Sequence, residues 1–287
     1  MPRVARDAAT SAPGVNTRKV IKPPSGWAGL HLPELWKSKE LLYFLAWRDI
    51  KVRYTQAALG VAWAVLQPLL MMTIFSVFLG RLAKIPSDGV PYPVFALAGL
   101  VPWTFFSNAV GEATNSVVAS ANLVSKIWFP RLVLPAAALV SWLPDLSIAS
   151  FLVVGMMLIF HLTPPLTALL LPLFAAYALL AAASVSVWLA ALNVRYRDVR
   201  YAVPFVIQLW LFATPVAYPA SIVPHRFRLL LGLNPMTGVV EGFRWALLGQ
   251  RQPPWGLMAV SGLVSLIVLV SGMYYFRRSE SGFADVI

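Results

Sequence analysis

The chain has 287 residues, of which 59% are hydrophobic and 12% charged, about half the charged share of a soluble globular domain, which excludes a water-soluble protein and points to an integral membrane protein. The net charge of +12 fits a membrane face better than a nucleic acid, because most cations sit on short loops between apolar runs, where the positive-inside bias and an anionic leaflet favour them. Residues 1 to 33, rich in Pro, Ser, Gly and basic residues, read as a mobile cytoplasmic tail without an apolar core of signal-peptide length.

Residues 34 to 57 are predicted to form an amphipathic interfacial helix. Tyr43, Trp47, Ile50 and Tyr54 recur at helical spacing, Arg48, Lys51 and Thr55 fall on a neighbouring stripe, and Asp49 with Arg53 has i,i+4 spacing for an ion pair. Such a helix lies in the membrane surface, aromatics among acyl chains and cations beside lipid phosphates. Residues 58 to 287 then read as one transmembrane domain. Val61 to Leu79 is a charge-free run long enough to cross, 81 to 93 is a loop, and Val94 to Gly111 is a second span ending in a polar patch from Glu112 to Ser120. Leu132 to Phe160, Leu166 to Leu192 and Ala202 to Tyr218 follow, separated by the basic segments 120 to 131 and 193 to 200. Residues 219 to 253 hold two short apolar pieces interrupted at Asn234-Pro235, read as a broken interfacial or re-entrant pair. Trp255 to Phe276 is the last span. The expected fold is therefore an all-α polytopic membrane protein, with six transmembrane helices, an N-terminal interfacial helix, and a broken re-entrant pair between spans five and six. Six crossings put both termini on one side. The segments on that side carry 17 Lys and Arg against six on the other, so it is the cytoplasm.

No cysteine is present, which excludes disulfides, thiolate catalysis and cysteine metal sites. His31, His161 and His225 show no ligand spacing, so no metal is expected. Pro68, Pro102, Pro135, Pro144, Pro172, Pro204 and Pro215 fall in the apolar runs, where each can kink a helix. Glu112 and Asp145 lie in or near spans, where a carboxylate needs a partner or water. Glu112 belongs to the polar patch and Asp145 stands alone beside Pro144, and helix-to-helix hydrogen bonding is the expected role of both. Arg48, Lys51 and Arg53 stand at the inner surface beside lipid phosphates, which guanidinium groups can grip bidentately. Trp63, Trp103, Phe105, Phe106, Trp142 and Tyr218 read, from the residues alone, as an ordinary aromatic belt. In the segment from Ser120 to Arg131, Leu123, Ile127 and Trp128 are apolar, Lys126 and Arg131 basic, and Phe129-Pro130 closes the piece. That is the form of a cytoplasmic helix that docks on a soluble partner, or of a solvated connector.

WRDIKVRYTQAALGVAWAVLQPLL at 47 to 70, NLVSKIWFPRLVLP at 122 to 135, NVRYRDVRY at 193 to 201, LNPMTGVVEGFRWALLG at 233 to 249 and the terminal FADVI resemble, in order and placement, the permease subunits of ABC-2 type polysaccharide exporters, which serve O-antigen, teichoic acid and capsule. The resemblance covers about residues 34 to 287 and departs at the tail and at Ala57-Ala58, where Thr or Ser commonly precedes the Leu-Gly pair. It implies a permease subunit rather than an enzyme, a homodimer joined by two copies of a cytoplasmic ATPase, and a glycan substrate commonly linked to undecaprenyl diphosphate in the bacterial inner membrane. For such a substrate Arg48, Lys51 and Arg53 are the candidates to grip the lipid diphosphate, and Trp63, Trp103, Phe105, Phe106, Trp142 and Tyr218 the candidates to line the glycan's path. The chain has no G-x-x-x-x-G-K-[ST] phosphate loop, so ATP and magnesium belong to the partner and no cofactor is expected here. Residues Asn122, Lys126, Ile127, Trp128, Phe129, Pro130 and Arg131 map to the family's coupling helix, and Arg195, Arg197, Asp198 and Arg200 to a second contact with the ATPase. The alternatives are an ABC-2 permease for teichoic acid, capsule, drug or small-lipid export and a membrane enzyme acting on polyprenyl phosphates.

Overall fold

The computed structural model describes residues 36–55, 62–127, 129–249, 252–280 and 282–283; the expected tail, Trp128 and Ala57-Ala58 lie outside them. All regular structure among the described residues is helical. In chain order the helices are α1 (Lys39–Thr55), α2 (Ala62–Phe75, continued by a π-helical stretch Ser76–Leu82), α3 (Tyr92–Ala119), α4 (Ala121–Lys126), α5 (Val133–Val140) and α6 (Leu143–Ile159). They continue with α7 (Leu171–Arg195), α8 (Val199–Ala213), α9 (His225–Leu231), α10 (Pro235–Leu248) and α11 (Trp255–Glu280).

Five stretches are long and apolar enough to cross a membrane: Ala62–Leu82, Tyr92–Ala119, Val133–Ile159, Leu166–Arg195 and Trp255–Glu280. The expected fifth span is instead the 15-residue α8, about 22 Å long and short of a hydrocarbon layer of roughly 30 Å. The expected kinks also need correction. Pro144 and Pro172 sit in the first turns of α6 and α7, where a missing N–H removes no bond, and Ser141 and Trp142 form the turn that divides the third run. Pro68, Pro102 and Pro204 do lie inside helices.

Helix α3 is the axis of the bundle and packs on α2, α5, α6, α7, α8 and α10. Small residues allow this. Ala96, Ala98, Ala109 and Ala113 of α3 and Ala178, Ala181 and Ala182 of α7 are all buried, and short side chains let helix backbones approach where no hydrophobic effect drives them together. Across the α7–α11 contact Gly272 lies under Trp188, so close that a Cβ there would sit 2.6 Å from the indole Cδ1. The outer faces carry Leu66, Leu70 and Ile74 of α2, Phe205, Leu209 and Phe212 of α8, and Leu263 and Ile267 of α11, all exposed, as lipid contact requires.

A second apolar cluster gathers Leu45 and Ala46 of α1, Val117, Val124, Phe129, Val133, Phe276 and Phe283. It places α1, α4 and the last turns of α11 at one end of the bundle. At the other end Tyr92 donates its hydroxyl hydrogen to the Ala217 carbonyl at 2.8 Å. Between the two ends runs α8: Asn193, shortly before it, is bonded to Thr114 near α3's end, and Ala217, shortly after it, to Tyr92 at α3's start.

The roll of α1 differs from expectation. Leu45 and Ala46 are buried and Ile50 and Tyr54 half-buried against the bundle, whereas Tyr43, Phe44 and Trp47 are exposed, with Tyr43 and Trp47 stacked at 6.4 Å. The four aromatic and aliphatic positions therefore do not share one lipid-facing side, because the helix already has a protein surface to cover. Helix α10 is enclosed, with Met236, Val239, Val240, Phe243, Ala246 and Leu247 all inaccessible. Asn234 caps it, its side-chain oxygen accepting from the Met236 N–H at 3.0 Å, with Pro235 in the first turn. The Asn234-Pro235 break is thus a helix start.

Candidate functional site

Arg53 leaves the surface of α1 and reaches into the bundle. Its Nη2 donates to Glu112 Oε2 of α3 at 2.8 Å and to Ser141 Oγ at 3.1 Å, and its Nη1 donates to Asp145 Oδ2 of α6 at 3.0 Å and to the Ser141 carbonyl at 2.9 Å. The guanidinium lies over the Trp142 ring at 3.6 Å, and the Trp142 indole N–H donates to the same Glu112 oxygen at 2.6 Å. One cation therefore ties three segments. Asp145 does not stand alone, and Asp49 is not Arg53's partner: the Asp49 carboxylate accepts from Arg48 at 2.8 Å. The expected hydrogen-bonding role of the two carboxylates is met by a charge-assisted pair through arginine, whose planar fork suits two acceptors at once. Next to it, burial and then the negative charge of Asp145 push the Tyr54 phenol up to about 12, so that it stays protonated.

This cluster closes one end of a groove whose wall is mostly apolar but carries a line of amides and hydroxyls. A cleft of about 530 Å³ lies between α2, α3 and α8, with Gln67, Trp103, Thr104, Ser107, Asn108 and Gln208 on its wall and Glu112 and Trp142 at its end. A smaller hollow of about 180 Å³ adjoins it, reaching Arg53, Tyr54, Trp63, Phe105 and Asp145, and shares Gln67, Thr104, Asn108 and Trp142 with the first. Thr104, Asn108 and Glu112 recur every four residues, so α3 presents a hydrogen-bonding stripe in an otherwise apolar helix. Amides and hydroxyls offer both donors and acceptors, and the tryptophans add flat apolar faces.

The candidate residues separate accordingly. Trp63, Trp103, Phe105, Trp142 and Arg53 line this groove. Phe106 is inaccessible, its ring 5.4 Å from that of Trp210, and Tyr218 lies at the far end, its hydroxyl donating to the Phe212 carbonyl at 3.3 Å. Arg48 and Lys51 stay exposed on α1. In the segment 120–131, Asn122, Lys126 and Ile127 are exposed. Phe129 is buried in the second cluster, Pro130 is half-buried, and Arg131 binds the end of α11, its backbone N–H donating to Glu280 Oε1 at 2.9 Å and its guanidinium to the Glu280 carbonyl. Arg195, Arg197, Asp198 and Arg200 are exposed at the same end of the bundle, Arg200 lying over Tyr201 at 4.8 Å.

Sequence reading missed three features. The lone amides Gln67 and Gln208 inside apolar runs were their own signal, since such groups in a span face a partner or water. Asn193 is buried and donates to the Thr114 carbonyl and to Asn115 Oδ1 at 3.0 and 3.1 Å, joining α7 to α3. Arg244, counted as an outer-loop cation, is buried: it pairs with Glu241 at 3.0 Å, donates to the carbonyls of Pro215, Val216 and Tyr218, and lies over Phe95 at 3.8 Å. The i,i+3 spacing of Glu241 and Arg244 inside an apolar helix was the available clue.

A bundle of membrane-length helices with a groove along α3, and with most of its exposed cations at one end, defines a multi-pass membrane protein. The family model of the ABC-2 type transporter matches residues 40–248, and the chain belongs to that family. It is 30% identical over 259 residues to the O-antigen export system permease protein RfbA of Myxococcus xanthus, covering 88% of this chain and 98% of that one. A protein of the same name from Klebsiella pneumoniae is 28% identical over 250 residues, covering 86% and 95%. The polysialic acid transport protein KpsM of Escherichia coli is 24% identical over 238 residues, covering 81% and 91%.

Proposed function

We propose that this chain is the permease subunit of an ATP-driven exporter that moves a lipid-linked polysaccharide of the O-antigen kind, commonly carried on undecaprenyl diphosphate, outward across the bacterial inner membrane. The observation that carries the reading is the groove along α3. A glycan sliding through a membrane needs water, exchangeable hydrogen bonds and aromatic faces, and a drug or simple lipid has little use for a row of amides and hydroxyls. The relatives named as O-antigen and polysialic acid transporters point the same way.

Two copies complete the channel, each contributing one groove. Helix α8 makes the sixth crossing together with the turn after it, which brings both chain ends to the cytoplasmic side. A separate ATPase subunit docks there, on Asn122, Lys126 and Ile127 of one segment and Arg195, Arg197, Asp198 and Arg200 of the other. Arg48 and Lys51 meet the lipid diphosphate at the inner surface, while Arg53, whose charge is already met by Glu112 and Asp145, holds the end of the groove in shape. Magnesium and ATP are held by the partner.

Deleting the gene tests this. Lipid-linked glycan is expected to accumulate inside the cell and to reach the surface again when the chain is restored. Unchanged surface glycan in the deletion strain, with no second exporter encoded, would refute the proposal.

A further inference from the structure

The two flanking walls of the groove converge on one side chain. Helix α2 lines the groove with Gln67 and Met71 and α8 with Pro204, Ile207, Gln208 and Leu211, while α3 forms its back from Glu112 to Leu100. Helix α2 packs chiefly on α3 and α6, and α8 on α3 and α7, so α3 is the support that the walls have in common. Tyr92 stands at the start of α3, roughly 12 Å of helix beyond Leu100. Pro91 and Pro93 flank it, and each fixes its own φ, which leaves this stretch of backbone little freedom.

Tyr92 meets both walls at their far ends, through different parts of its side chain. Toward α2 its ring covers Gly80 in the π-helical stretch, so closely that a Cβ there would sit 2.8 Å from the ring's Cγ and Cδ1. Toward α8 its hydroxyl donates to the Ala217 carbonyl at 2.8 Å. That carbonyl belongs to the turn after α8, whose other groups are held from α10: Arg244 donates to the carbonyls of Pro215, Val216 and Tyr218, and Asn234 Nδ2 to Thr214 Oγ1 at 2.8 Å. The Tyr92 hydroxyl ties the same turn to α3. At the closed end of the groove the bonds of the Arg53 cluster run instead among α1, α3, α6 and the turn before α6. Along the groove α8 leaves Phe205, Val206, Leu209 and Phe212 exposed. The brace that joins wall to wall is therefore at the far end.

We infer that Tyr92 is a positioning residue that sets the width of the groove at its far end, the ring bearing on α2 and the hydroxyl holding α8. That end opens when the bond to Ala217 breaks and α8 draws away from α2. The assignment stands whatever the groove carries.

The absence of cysteine allows spin labels to be placed in pairs. Phe78→Cys with Phe212→Cys reports the far end and Leu66→Cys with Phe205→Cys the other half of the groove, all four positions being exposed. Each full-length pair is co-produced with an excess of unlabelled chain, so that an assembly carries one labelled copy, and its distances are measured by pulsed electron paramagnetic resonance in nanodiscs. Tyr92→Phe keeps the ring on Gly80 and removes only the hydroxyl. The ratio of wide to close distances at the far pair should rise about fivefold, the weight of one net hydrogen bond, while the other pair keeps its distribution. Gly80→Ala keeps the hydroxyl and displaces the ring, and should lengthen the far pair as well. A far pair unmoved by Tyr92→Phe or by Gly80→Ala, or two pairs that change together, would overturn the assignment. The denaturation midpoint is recorded alongside: a lowered midpoint with both distributions unchanged would make Tyr92 a packing residue only and overturn it too.

Discussion

Arg53 is the residue on which the closed end of the groove turns. It is 20% exposed, between carboxylates 37% and 14% exposed, so its loss leaves two like charges close together with little water to screen them. Breaking a fully buried pair costs about 3–5 kcal/mol; the partial exposure here brings the expectation for Arg53→Ala to about 2–3 kcal/mol, read as a lowered denaturation midpoint in detergent. Arg53→Lys should recover less than half, since an ammonium cannot serve both acceptors and stack on Trp142. An unchanged midpoint for Arg53→Ala would show that the cluster bears no load. At the other end, Arg244→Leu strands Glu241 and three carbonyls and should cost about 3–5 kcal/mol. Gly99→Ala should reproduce part of that loss, because its Cβ would lie 2.7 Å from Arg244 Nη2 and 3.1 Å from the Val216 carbonyl. If Gly99→Ala leaves the midpoint in place, the packing of Arg244 is looser than described. The sequence showed that Glu112 and Asp145 needed partners and that Arg53 was a cation near the surface. Their meeting was hidden, because it spans 59 and 92 residues and depends on the roll of α1. That helix has apolar residues on both sides, Leu41, Leu42 and Leu45 on one and Tyr43, Phe44 and Trp47 on the other, so its pattern does not say which side is covered.

Among the elements, the segment 120–131 divides into an exposed part and an anchor. Lys126 is free for a partner, whereas Arg131 is tied to Glu280 and lies 5.8 Å from the Phe283 ring. Lys126→Glu should leave folding intact and reduce co-purification of the ATPase by an order of magnitude. Arg131→Glu should first loosen the end of α11, seen as faster proteolysis after Phe276, whether or not the ATPase is present. Identical effects of both would mean that the segment acts as one surface. The basic, aromatic composition of this piece was legible because it interrupts apolar runs. The enclosure of α10 was not, since Glu241, Arg244 and the flanking Gly and Pro residues resemble a loop until the internal pairing of the two charges is known. Trp188 over Gly272 carries a similar lesson: Gly272→Val should weaken the α7–α11 contact by about 1–3 kcal/mol through overpacking, and no pattern within α11 alone announces it.

For the whole molecule, composition and run lengths were enough to establish a helical membrane protein, because lipid leaves few other ways to satisfy a backbone. The course of α8 was harder to read, since its 15 helical residues fall short of a full span and are followed by a turn from Thr214 to Tyr218 that meets Tyr92 at the far end. At one end α1 and the end of α11 share an apolar cluster, and the groove runs along the middle of α3. The account's central claim is that this chain forms the path while another protein supplies the energy. Inverted membrane vesicles containing this chain and loaded with radiolabelled lipid-linked glycan on the outside measure it directly. The account predicts uptake only when the ATPase subunit and hydrolysable ATP are both present; uptake by vesicles holding this chain alone would contradict it.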